Sequence, residues 1–463
     1  MGNRYLEQMR AGETLSPAQQ LCMTVQLSIP AMLAQVSSIA MQYIDASMVG
    51  HLGANASGSI GLVSSTTWLF GGLCSAAAIG FTVQVAQSIG AGKDQQARSL
   101  VRQGLVATLG FSLLLLGIGV SLSGGLPAWL GGEPDICPDA SRYFLVYSLT
   151  LPVTMSNYLT GGMIQCSGNM KLPSFLHVVM CLLDVVFNSL LIFPTRQVWG
   201  FTLPGAGLGV MGAALGTSLA QLTVGIILLG YLLAGPQVLA LRREEKLVFS
   251  PQQLKRAVKI SLPVGCEQFI MCSAYVMATR IVSPLGTIAI AANSFAVTAE
   301  SLCYMPGYGI GTAATTLIGQ SVGAGRKDLT RRLAWLTTGL GVGIMTVSGA
   351  LMYLFAPAMM ALLTPDPSIR ALGAAMLRIE AFAEPLYGAS IVAAGAFRGA
   401  GDTFMPSCFN FLSMWCVRIP LSAFLAPRMG LQGVWLAMCI ELCFRGLLYL
   451  GRMKGRGWMK EKL

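Results

Sequence analysis

Two carboxylates, Asp45 and Asp184, stand inside long apolar stretches that contain no lysine or arginine of their own. A charged side chain in hydrocarbon costs about 2.5 to 3.5 kcal/mol on insertion scales, so such residues point to function by default. An acid pair without a cationic partner calls for a proton or a bound cation, which is how a proton or sodium site is made. Asp184-Val185-Val186-Phe187-Asn188 sets a carboxylate and an amide four residues apart, on one helical face where both can address one ion. Thr217, following Gly212-Ala213-Ala214-Leu215-Gly216, adds a hydroxyl ligand if it faces the same ion. For Asn188 and Thr217 an inter-helical hydrogen bond that locks the helices is the competing reading.

The other ionisable residues in apolar stretches all lie later in the chain: Glu267, Arg280, Glu300, Arg378, Glu380, Glu384, Arg418, Glu441 and Arg445. Acids and arginines mix there. Glu441 and Arg445, four apart, read most simply as a structural pair. Glu267, Glu300, Arg280 and Arg418 read equally as a buried network or as cavity lining. Tyr43, Trp68, Tyr158, Phe269, Met271, Tyr275 and Phe295 are of the types that line a pocket for amphipathic cations, although any single one reads first as lipid-facing or core. Tyr43, Tyr275, Glu267 and Glu300 are the candidates kept for substrate.

The elements that position these residues must be membrane helices. Of 463 residues only 11% are charged and 54% are apolar, where a soluble domain carries about 25% charge. The apolar runs are continuous and rich in Gly and Ala, unlike the alternation of a β-barrel. Spans are expected near 24–49, 57–88, 98–122, 141–165, 172–193, 207–234, 256–282, 288–320, 331–356, 370–396, 405–426 and 431–450. The fold class is therefore an all-α polytopic membrane protein of 12 transmembrane helices. No cleavable signal is expected from the charged start Asn3-Arg4-Tyr5-Leu6-Glu7.

The formal charge of +11 reports topology and not nucleic acid, because the basic residues sit in short connections. Connections after even-numbered spans hold Lys93, Arg98, Arg102 and Lys171, then the Arg242–Lys259 cluster, then Arg326, Lys327, Arg331, Arg332 and Arg398. Both termini are basic as well. The positive-inside rule then places both termini in the cytoplasm of a cell whose inner membrane the chain spans.

An internal repeat runs through the chain. Pro30 and Pro263, Gln87 and Gln320, Pro152 and Pro385, and Gly168 and Gly401 are each 233 residues apart. Each repeat holds an even number of spans, so the two six-helix lobes are parallel repeats, an arrangement suited to alternating access. The expected organisation is a lobe over 1–235, a cytoplasmic linker over 236–255, and a second lobe over 256–463 with a short basic tail.

Several classes are excluded. Gly90-Ala91-Gly92-Lys93 and Gly323-Ala324-Gly325-Arg326 resemble phosphate loops only superficially, and their duplication at helix ends makes them turns. The two histidines, His51 and His177, form no metal or triad pattern, and eleven of the 12 cysteines lie in or beside apolar runs without zinc spacing. An enzyme is not expected, no cofactor is needed, and active transport would draw on an ion gradient.

The chain resembles the multidrug and toxic compound extrusion (MATE) family over nearly its whole length. The resemblance rests on Asp45-Ala46-Ser47-Met48-Val49-Gly50-His51-Leu52-Gly53, Pro263-Val264-Gly265-Cys266-Glu267-Gln268, Glu300-Ser301-Leu302-Cys303-Tyr304-Met305-Pro306-Gly307, Phe397-Arg398-Gly399-Ala400-Gly401-Asp402-Thr403 and Arg418-Ile419-Pro420. It implies export of organic cations and other amphipathic compounds in exchange for sodium ions or protons, with Asp45 central to coupling and Thr217 at the family's sixth-span threonine. The family's fifth span often reads Asn-x-x-x-Asp, whereas Asp184 and Asn188 have the two swapped, moving the carboxylate about 6 Å along the helix. A sodium ion at Asp45, Asp184 and Asn188 is one expected cargo, a proton the other. The family's seventh-span glutamate falls one turn beyond Glu267, at Met271. The partners implied are a small-molecule substrate and the lipid bilayer, and a monomer is expected. The alternative within the wider group is a flippase for a lipid-linked sugar, for which Arg280, Arg378 and Arg418 would supply cations.

Overall fold

The computed structural model describes residues 2–198, 201–235, 238–240, 249–455 and 457–459. The Arg242–Lys246 cluster of the expected linker lies outside the described residues. The helices run α1 (Gly2–Arg10), α2 (Pro17–Gly50), α3 (Ala54–Gly90), α4 (Asp94–Ser123), α5 (Leu126–Trp129), α6 (Cys137–Cys166), α7 (Lys171–Leu191), α8 (Gly209–Ala234), α9 (Pro251–Val282), α10 (Thr287–Gly323), α11 (Lys327–Leu363), α12 (Pro367–Glu380), α13 (Glu384–Ala400), α14 (Phe404–Phe411), α15 (Ile419–Met429) and α16 (Leu431–Lys454). Among the described residues, ten of the expected spans are unbroken helical runs long and apolar enough to cross a bilayer, one of them running from α14 into α15. The other two are α6 and the broken pair α12–α13, which completes the twelve.

These two depart from the rest for identifiable reasons. The middle of α6 is polar, and it uses that polarity to bind its neighbour. Thr154 donates to Gln221 Oε1 at 2.6 Å, Asn157 Nδ2 to the Gln221 carbonyl at 3.0 Å, and the Thr150 and Ser218 hydroxyls meet at 2.6 Å. Polar side chains between membrane helices act as such glue. In the tenth span Pro385 opens α13 and the chain breaks at residues 381–383, whereas its repeat partner Pro152 stays inside a continuous α6. The eleventh span also differs from a plain helix, with a π-helical turn over Leu412–Arg418. Pro420 follows and has no N–H to give the preceding turn, a defect that wider turns absorb.

The chain forms two units. One joins residues 37–85 and 93–261, the other residues 1–36, 86–92 and 262–463. Each long helix α2 and α9 therefore passes from one unit to the other, close to its internal Pro30 or Pro263. In the first unit α6 packs on α4 and α8, and α7 on α8. Its core gathers Val63, Phe70, Leu115, Phe144, Leu151 and Met155, with Phe70 and Phe144 edge to face at 5.8 Å. A short antiparallel hairpin, β1 (Pro194–Val198) and β2 (Phe201–Ala206), links α7 to α8.

In the second unit α10 packs on α11 and α13, and α13 on α16, around Met352, Met360, Leu377, Trp435 and Leu442. Gly90 and Gly323 are repeat partners and lie at a reciprocal crossing. A Cβ on Gly90 would overlap the Gln320 carbonyl, and one on Gly323 the Gln87 carbonyl. Only glycine lets the two backbones come that close.

Candidate functional site

The site begins with the four-residue spacing in α7. Asp184 and Asn188 share a face, and both are buried, at 0% and 1% exposure. Asn188 Nδ2 donates to Asp184 Oδ2 at 3.2 Å and to Asp45 Oδ1 of α2 at 2.9 Å, so one amide holds both carboxyl groups. The carboxyls of Asp45 and Asp184 also come within hydrogen-bonding reach of each other. Asp184 Oδ1 and Asn188 Oδ1 have no hydrogen-bond partner. Thr217 of α8 stands beside Asp184, and its hydroxyl donates to the Ala213 carbonyl at 3.2 Å, leaving oxygen lone pairs free to accept or to ligate.

The close approach of α8 sets this geometry. Gly212 lies against the backbone of Leu191 and Ile192, and Gly216 against Asn188, where a Cβ would overlap Asn188 Oδ1. One turn towards the hairpin, Val49, Ile192, Val210 and Ala213 form a buried apolar cluster. In the other direction the α2–α7 contact stays polar. His177 lies seven residues before Asp184 and Ser38 seven before Asp45, and His177 Nε2 meets Ser38 Oγ at 2.5 Å. Cys181, buried, falls between them on the same face of α7. The glycine contact and the His177–Ser38 pair escaped the sequence reading. The signal for the first was Gly212-x-x-x-Gly216, and for the second the seven-residue spacing on both helices.

Of the remaining candidates, one shares α2 with Asp45 and three belong to the other unit. Tyr43, half-buried on α2, is two residues from Asp45 and so about 200° around the helix from it. Glu267, Glu300 and Tyr275 belong to the other unit. Glu267 accepts from Ser407 Oγ at 3.0 Å and Asn410 Nδ2 at 2.6 Å, with Arg398 3.8 Å away. Tyr449 OH bonds Asn410 Oδ1 in turn, at 3.1 Å, so Glu267 is tied into a network joining four helices. Glu300 is buried within electrostatic reach of Arg418, and Tyr275 is half-exposed. Glu380 and Glu384, both fully buried, stand near Glu300 with all four carboxyl oxygens unpartnered. Glu441 and Arg445 form a two-armed ion pair at 2.8 and 2.9 Å. No group of three or more metal-ligating His, Cys, Asp or Glu occurs among the described residues.

The arrangement can hold one small cation or a proton among oxygen atoms at the contact of α2, α7 and α8. The MatE family pattern matches residues 30–190 and 263–424, one copy in each repeat. The chain belongs to the MatE family. A probable multidrug resistance protein NorM of Thermotoga maritima is 25% identical over 445 residues, covering 94% of this chain and 93% of that one. A multidrug resistance protein MdtK of Edwardsiella ictaluri is 22% identical over 448 residues, covering 94% and 95%. Among solved structures, a MATE protein in complex with MaD3S superposes with a TM-score of 0.88 at 19% identity over 98% of this chain and 99% of that one. A Vibrio cholerae MATE transporter in its bent form gives 0.83 at 19% identity, over 94% and 97%. This MatE chain therefore has the twelve-helix fold of those transporters, and its multi-pass membrane setting follows from family and helices together.

Proposed function

We propose that the chain is a secondary active antiporter, working as a monomer in the cell inner membrane, that exports amphipathic or cationic small molecules in exchange for protons or sodium ions. Asp45, Asp184, Asn188 and Thr217 form the coupling site. The observation that carries this reading is the single amide of Asn188 shared by two carboxyl groups, with two buried oxygens left over. Acceptors outnumber donors there, and buried polar groups demand partners. A proton between the carboxyls, or one cation among the oxygens, supplies what is missing. Emptying the site leaves two acids facing each other, which opposes any state in which the site is closed and unloaded. That is the physical basis of obligatory exchange. Relatives carrying the name multidrug resistance protein support the substrate class.

The flippase alternative needs several free cations for a pyrophosphate. Arg418 stands 4.0 Å from Glu441, Arg378 bonds the Tyr353 carbonyl at 3.4 Å and lies over that ring, and Arg280 is exposed. This dispersal favours the exporter. Expression in a drug-sensitised cell is expected to lower accumulation of a cationic dye. Unchanged accumulation together with transfer of lipid-linked sugars would favour the flippase instead.

We also assign lobes over 1–235 and 256–463, joined by a linker over 236–255, with the linker and both termini cytoplasmic. A cysteine introduced at Lys255 is then expected to stay unlabelled by an impermeant thiol reagent added outside intact cells whose native cysteines are masked. Labelling from outside would invert the topology.

A further inference from the structure

Arg98 and Arg331, like Gln20 and Gln253, are repeat partners 233 residues apart, yet the two copies of their surroundings differ. In the unit holding residues 93–261, Val238 and Ser250 reach the start of α4. Arg98, 8% exposed, donates to the Val238 carbonyl at 3.2 Å, and the adjoining Leu239 is fully buried. Gln103 closes the remaining gap by bonding Gln253 Oε1 at 2.6 Å and the Ser250 N–H at 3.2 Å. An acceptor oxygen and an apolar side chain thus satisfy that copy.

The other copy is open. A cavity of about 770 Å³ lies between the starts of α2 and α11, lined by Gln20, Asp328, Arg331, Arg332, Trp335 and Leu336 among others. Leu336 replaces Gln103, so no amide bridges the groove. Helix α1 docks elsewhere: Arg10 reaches Gln320 Oε1 at 3.2 Å, and Arg326 takes the carbonyls of Met9 and Glu13. Neither Arg331 nor Arg332 has an ion pair or an acceptor among the described residues. Leu21, four residues after Pro17 at the groove's edge, is 47% exposed and leads to the exposed Ile29 and Leu33 along α2.

We propose that this groove binds the headgroup of an anionic phospholipid of the surrounding bilayer. Its phosphate oxygens accept from Arg331 and Arg332, the role that the Val238 carbonyl fills for Arg98. Its acyl chain follows Leu336 and the apolar stripe of α2. Asp328 leaves one net positive charge in the groove and can accept from a headgroup hydroxyl, so a glycerol headgroup fits better than a free phosphate. Trp335 stands about two turns into α11 beside these arginines, indole rings favour the headgroup layer of a bilayer, and basic pockets between helices there suit anionic lipids.

The test uses the full chain in phosphatidylcholine nanodiscs doped with brominated lipids, reading tryptophan quenching. Trp335 is isolated from the six other tryptophans by difference with Trp335→Phe. Brominated phosphatidylglycerol is expected to quench Trp335 at a lower mole fraction than brominated phosphatidylcholine, by about fivefold for each arginine engaged. Arg331→Gln with Arg332→Gln should erase that preference, and Arg331→Lys with Arg332→Lys should keep most of it. Equal quenching by the two lipids, or a preference that survives the double glutamine variant, overturns the proposal. So does displacement of the brominated lipid by millimolar inorganic phosphate, which would make the ligand a soluble anion.

Discussion

Asp184→Asn and Asp45→Asn should each leave a folded, inserted protein that no longer exchanges. Asparagine has nearly the volume of aspartate, and its carbonyl oxygen can still accept from Asn188 Nδ2, so the hydrogen bonds at 3.2 and 2.9 Å have a route to survive. What disappears is the negative charge that a transported cation or proton must neutralise. The loss of dye export should exceed the roughly 10- to 100-fold that altering an outer partner of a cation site costs. Membrane yield and thermal unfolding should stay near wild type. A merely structural role for these acids gives the opposite pattern, with lost protein and normal exchange per molecule inserted. The swapped order of the pair allows a stricter version. Asp184→Asn with Asn188→Asp keeps the number of carboxyls, and partial rescue with altered pH or sodium dependence is expected. Asn188→Asp alone puts two acids one turn apart, and their repulsion should move the pH profile upward.

Gly216→Ala is the second substitution with a large expected effect. Alanine favours a helix over glycine by about 1 kcal/mol, so α8 itself should gain. The new methyl would occupy the place of Asn188 Oδ1 and drive the amide away from both acids. Misplacing a coupling group by about 1 Å can cost on the order of 100-fold. The measurement is dye export in Gly216→Ala, in Asn188→Ala and in the double variant. If Gly216 acts through Asn188, the double variant is little worse than Asn188→Ala alone, since groups that touch do not add. Additive losses would show that Gly216 serves packing in general.

Much of this was legible in the sequence because membrane helices announce themselves by length and apolarity, and because the repeat fixes register. The common face of Asp184 and Asn188 follows from helical periodicity alone. What periodicity cannot give is a partner on another helix. Asp45 is 143 residues from Asn188 in the chain, and only packing shows that one amide serves both acids. The break at residues 381–383 was hidden because Pro385 has a repeat partner, Pro152, that leaves its helix intact. The π-helical turn over Leu412–Arg418 and the hairpin of β1 and β2 carry no periodic signal of their own. Glu267 reads from the sequence equally as cavity lining or as part of a buried network, and its partners Ser407 and Asn410, 140 and 143 residues further along the chain, appear only in the folded protein. Conversely, Glu380 and Glu384 were visible as intramembrane acids, but their four unpartnered oxygens appear only in three dimensions. They are the residues to examine next, with Glu300, should the acids of α2 and α7 prove dispensable.

Reconstituted transport decides whether the acids of α2 and α7 couple export to an ion gradient. Purified protein in proteoliposomes, preloaded with a cationic dye, is given an inward proton gradient or an inward sodium gradient separately. Dye release driven by one of these gradients, matched by movement of that ion in the opposite direction and absent in Asp45→Asn and Asp184→Asn, is the predicted result. Release at the same rate with no gradient, or gradient-driven release that both variants retain at wild-type rates, would contradict it.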